Sequence, residues 1–109
     1  MNDILLVFTN LPDEASAVRL SRQLIEARAA ACANQLAPCT STYRWKDNIE
    51  TAAEVPLLIK TTREAYPRLE KLIREAHPYE LPEIIAVPVT VGFPAYLDWV
   101  NRETTTLKE

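Results

Sequence analysis

The residues equipped for chemistry are few. The chain holds one histidine, His77, and two cysteines, Cys32 and Cys39. Imidazole suits copper, nickel or zinc, and Glu80 follows closely enough to supply an oxygen ligand. The same histidine at a helix end would instead bond a last-turn carbonyl, which is the commoner use. Cys32 reads either as a thiol available for chemistry or, more ordinarily, as a small core residue. Nothing beside Cys39 would activate its thiol. Tyr43, Trp45 and Tyr79 could line a ligand cleft with Lys60, Glu80 and Glu83, although Tyr and Trp serve equally in packing and interfaces. Lys60, beside Thr61 and Thr62, would contact an anion or pair with Glu83. Glu80 and Glu83 flank Leu81-Pro82, and in an extended segment that spacing does not place two carboxylates together as an acid–base pair.

Composition removes other classes of chemistry. The 109 residues suffice for one domain, 1–109, and 48% hydrophobic with 25% charged residues is ordinary for a globular protein. A formal charge of −3 argues against nucleic acid as a partner. The single glycine, Gly92, excludes phosphate-cradling loops that need several. The opening Met1-Asn2-Asp3 lacks the positive flank of a secretory signal, and Ile4 to Phe8 is too short to be one. The uncharged stretches Ala29 to Tyr43 and Ile84 to Leu97 fall short of the ~18 apolar residues that span a membrane. The cysteines fit no CxxC pattern, so a reducing, cytoplasmic setting is expected.

The elements that must position these side chains follow from periodicity. Residues 3–10 are nearly all apolar and predict a buried strand. Pro12, Asp13 and Glu14 start a helix over 13–30, with Ala17, Leu20, Leu24, Ala27 and Ala31 at helical spacing. Residues 32–46 and 49–61 predict a hairpin turning at Lys46-Asp47-Asn48. Pro38 and Pro56 fall inside those strand patterns and predict bulges. Thr61 or Thr62 caps a second helix, which carries Tyr66, Leu69, Leu72, Ile73 and Ala76 and ends at His77-Pro78. Residues 83–91 form a last strand stopped by Gly92. Residues 95–103 make a short helix, and Thr104-Thr105-Thr106 is expected to fray.

This β-α-β-β-α-β order with a short C-terminal helix is the α+β, ferredoxin-like arrangement. It leaves the uncharged second strand at a sheet edge, where unpaired backbone groups invite another chain.

Several segments together resemble the CutA divalent-cation tolerance proteins. They are Ala29-Ala30-Ala31-Cys32-Ala33-Asn34, Tyr43-Arg44-Trp45-Lys46, Ile49-Glu50, Lys60-Thr61-Thr62 and His77-Pro78-Tyr79-Glu80-Leu81-Pro82-Glu83-Ile84, with Gly92 and Tyr96-Leu97-Asp98-Trp99 after them. The resemblance implies a PII-like homotrimer, a link to copper or other divalent metal tolerance, and no established reaction. Members with assigned copper binding carry a cysteine near the end of the first strand and paired histidines before Pro-Tyr. Phe8 and Ala76 stand at those places here and cannot ligate, so Cu(II) or another divalent cation is expected to bind weakly, on His77 and Glu80. Many members also have glycine where this chain has Asp47.

The leading expectation is therefore a trimeric metal-tolerance protein that binds or senses, with no cofactor required. The alternative is a sensor or scaffold whose inter-subunit cleft takes a small, anionic or organic ligand. A small hydrolase such as an acylphosphatase fits poorly, because Thr9-Asn10-Leu11-Pro12 lacks a phosphate loop.

Overall fold

The computed structural model describes residues 3–106. Met1 and Asn2, which entered the signal-peptide argument, lie outside the described residues. Eight elements follow in order: β1 (Ile4–Leu11), α1 (Glu14–Glu26), β2 (Cys32–Gln35), β3 (Cys39–Trp45), β4 (Asn48–Thr62), α2 (Tyr66–Ala76), β5 (Ile85–Pro88) and α3 (Pro94–Glu103). The strands form one antiparallel sheet in the order β2-β4-β1-β5, with β3 paired to β4. This is the expected ferredoxin-like order with one strand more.

Side-chain alternation divides the sheet into two faces. Leu5, Val7 and Leu11 of β1 and Val55, Leu57 and Ile59 of β4 pack with Leu20 and Leu24 of α1 and Leu69 and Ile73 of α2. The other face carries Leu6, Phe8, Pro56 and Leu58, all half-buried. At one end of it α3 packs through Val100 onto Ile4 and Ala31.

Local chemistry sets the element ends. The Asp13 side chain accepts from the Ser16 amide at 2.8 Å, which caps α1. That bond favours the charged carboxylate and holds its pKa below the ordinary value. The helix stops at Glu26, short of the expected residue 30. Arg28 takes a left-handed φ of 57°, and the amides of Ala29 and Ala30 both return to the Leu24 carbonyl. Ala29, Ala30 and Ala31 are buried as the lead into β2 rather than as helix.

The expected strand over 32–46 is two strands. Gln35 pairs with Leu57 and Cys39 with Glu54, so residues 36–38 face only 55–56 and one residue bulges out. The Leu36 amide donates to the Pro56 carbonyl at 2.9 Å. Pro56 has no N–H to donate, and a bulge is one of the few places where a strand tolerates proline.

The last strand is also shorter than expected, four residues instead of 83–91. Pro88 cannot donate to a ladder, although the Val89 amide still reaches the Ile4 carbonyl at 2.9 Å. Thr62 supports the start of the second helix by accepting from the Ala65 amide at 3.1 Å. Thr104 is buried, not frayed. Its hydroxyl donates to the Val100 carbonyl at 2.9 Å, and Arg68 donates to its carbonyl at 3.1 Å.

Candidate functional site

Lys46 and Asp47 hold φ values of 49° and 70° between the paired residues Trp45 and Asn48. This is a two-residue type I′ turn, whose twist suits a hairpin. It closes a ribbon in which Cys39–Trp45 pairs only with Asn48–Glu54. Alternation puts Ser41, Tyr43 and Trp45 on one face of β3, together with Ala52 and Glu54 of β4. Residues 77–84 leave α2 and pass beside that face.

His77 anchors this passage. It is buried, at 8% exposure, and its backbone amide closes α2 on the Ile73 carbonyl at 2.8 Å. Its Nε2 meets the Asn10 carbonyl at 2.6 Å, and its Nδ1 lies 3.2 Å from the Tyr79 amide. A carbonyl can only accept and an amide can only donate. The ring is therefore the neutral tautomer with its proton on Nε2. The Asn10 side-chain amide in turn donates to Glu83 at 3.2 Å. Asn10, at the end of β1, thus grips both ends of the passing segment.

Between segment and ribbon lies an open cleft of about 930 Å³. Tyr43, Trp45, Glu54, Tyr79, Glu80 and Glu83 are among its lining residues. Glu54 is 8% exposed and accepts a hydrogen bond from the Tyr79 phenol. Burial first, then that bond and the Glu54 charge, push the Tyr79 pKa up to about 12. The rings of Tyr79 and His77 touch at 4.7 Å between centroids.

Five of the residues expected around a ligand come together here: Tyr43, Trp45, Tyr79, Glu80 and Glu83. Lys60 does not join them. It pairs in register with Leu6 and Cys32, and its ammonium donates to Asn34 at 2.6 Å rather than to Glu83. Lys60 lies six steps along the strand from Glu54, a span of roughly 20 Å at the rise of a β-strand. One chain alone already supplies a concavity here.

The metal site expected on His77 and Glu80 does not fit the fold. Both ring nitrogens of His77 already have partners, so no lone pair is left to give a cation. Glu80 is exposed on the cleft wall. Among the described residues no three His, Cys, Asp or Glu side chains converge on a point that could hold a metal ion. Cys32 is half-buried opposite Lys60, Cys39 is exposed, and both are free thiols.

Asn10 and Glu54 are the residues that the sequence reading missed. Each leaves a trace, a polar group interrupting an apolar strand run that no turn explains.

The CutA1 divalent ion tolerance protein model matches residues 5–103. The divalent-cation tolerance protein CutA of Thermus thermophilus is 38% identical over 95% of this chain and 99% of its own length. Mouse protein CutA is 42% identical over 92% of this chain, and the chain spans only 56% of that relative. A crystal structure of CutA from Xylella fastidiosa superposes with a TM-score of 0.92 at 47% identity, covering 94% of this chain and 99% of that one. With the ferredoxin-like order in place and the match running from β1 through α3, the chain belongs to the CutA1 divalent ion tolerance family.

Proposed function

We propose that this chain serves divalent-cation tolerance as a binding or sensing protein rather than as an enzyme, and that recognition takes place in the ribbon cleft. The observation that carries this reading is the gathering of Tyr43, Trp45, Tyr79, Glu80 and Glu83 around one concavity. The matching family model and bacterial relatives are named for tolerance to divalent cations, which supports a role in metal physiology. Copper(II) is the divalent ion with the strongest pull on nitrogen and oxygen ligands. Any such binding is weak and does not run through His77, whose ring is committed elsewhere. The metal response then follows indirectly from what the cleft recognises.

The active form in this reading is a homotrimer, each copy consisting of one domain over 1–109. The ribbon beyond Glu54 has β4 paired on one side only, and a two-stranded ribbon alone is marginal in water. Val91, Phe93 and Ile49 are 85, 74 and 71% exposed, which suits burial against neighbouring copies. Closed symmetry is needed, since an open head-to-tail contact would grow without limit. The setting we propose is cytoplasmic, where the two free thiols persist. No helix among the described residues is long and apolar enough to cross a membrane.

The test combines binding with physiology. Calorimetric titration with copper(II), and with zinc for comparison, should give the same weak affinity for wild type and His77→Ala. Cells that depend on this chain for metal tolerance should lose it with Trp45→Ala, while that variant keeps the wild-type circular dichroism. Tight copper binding abolished in His77→Ala, or full tolerance with Trp45→Ala, would reject the reading.

A further inference from the structure

The charge of the cleft identifies the class of its ligand. With Lys60 at the far end of the sheet, the anion-binding alternative loses its ammonium. Glu54, Glu80 and Glu83 remain among the lining residues. The one basic residue on the wall is Arg44, which pairs in register with Ile49. Strand alternation assigns it to the face opposite Tyr43 and Trp45. Glu54, Glu80 and Glu83 thus line the cleft with the rings of Tyr43, Trp45 and Tyr79, and they outnumber the two cations beside it, Arg44 and the Lys46 ammonium over Trp45.

We propose that the cleft binds an organic cation, a primary ammonium or guanidinium carried on an apolar body. The inference rests on the cleft being a ligand site and adds the sign and shape of what enters it. Aromatic faces carry negative quadrupoles that attract cations. Trp45 already shows the preference, since the Lys46 ammonium lies 5.7 Å from its ring centroid. Charge-assisted hydrogen bonds from an ammonium to carboxylate are roughly twice as strong as neutral ones.

Glu54 supplies the anchoring carboxylate. It is more than nine-tenths buried, and a carboxylate can accept about four hydrogen bonds, of which the Tyr79 phenol supplies one. A buried carboxylate is stabilised most by a full positive charge. The apolar body of the ligand would lie along Tyr43, Trp45 and Leu81. Leu81, at 72% exposure, gains most from cover.

The assembled, full-length protein is titrated by calorimetry with three probes of one shape: phenethylammonium, 2-phenylethanol and phenylacetate. The expected order is ammonium, then alcohol, then carboxylate, with about tenfold between the first two. Glu54→Gln should remove that tenfold preference. Glu80→Gln, an exposed substitution that leaves the fold untouched, should reduce it in part. Equal affinity for ammonium and alcohol, or preference for phenylacetate, would overturn the cation assignment while keeping the cleft as a ligand site. Failure of all three probes to bind would overturn both.

Discussion

An imidazole held by a carbonyl on one side and an amide on the other acts as a structural clasp. His77 joins the end of α2 to the end of β1 and sets the first residue of the segment that walls the cleft. Its replacement by alanine removes two hydrogen bonds and leaves the Asn10 carbonyl without this partner. The expected loss is about 2 kcal/mol, measured by denaturant unfolding. Tyr79 offers a second test at this scale. Its pKa rises from 10.0 in an unperturbed tyrosine to about 12 in the native protein, so the folded state holds the phenolic proton more tightly than the unfolded chain does. The stabilisation is complete below about pH 10 and is lost as pH climbs from there to about 12. Glu54→Gln should bring the phenolate absorbance transition to lower pH and narrow that window. An unchanged transition would remove Glu54 from contact with Tyr79.

Among the elements, the ribbon turn is built against residue preference. Asp47 sits at φ 70°, where a side chain costs energy that glycine avoids. Asp47→Gly should raise stability by about 0.5 kcal/mol, less than the full conformational relief because glycine also loosens the unfolded chain. Thermal unfolding of the two forms checks it. The turn, the order of the strands and the amphipathic helices were legible because each follows from local periodicity and turn chemistry. The end of α1 was not. Alanines continue the helical spacing through Ala31, and a left-handed arginine at residue 28 carries no glycine signal. The cleft was half legible for a related reason. Period two tells which face of a strand a side chain takes, so Lys60 could be placed on the face of Glu54. It does not tell which neighbour lies across, and the register with Leu6 and Cys32 removes Lys60 from the cleft. Asn10 was hidden because its partners, His77 and Glu83, come from far along the chain.

The whole molecule is elongated, 47 × 31 × 23 Å. In the trimer proposed above, the projecting ribbon and the half-open sheet face are where other copies of the chain would pack. Native mass spectrometry of protein purified without added metal should give three chains' mass and report any retained ligand. A monodisperse single chain at micromolar concentration would exclude the trimer. The fifteen-residue β4 has one more consequence, which concerns time rather than form. Its first half folds back on β3 across two residues, the shortest loop closure in the sheet, whereas its second half must find β1 across the whole of α1. Closure entropy rises with loop length, so local pairing is favoured to come first. The ribbon then seeds the central strand of the sheet, and substitutions near Lys46 and Asp47 should change the folding rate more than the unfolding rate.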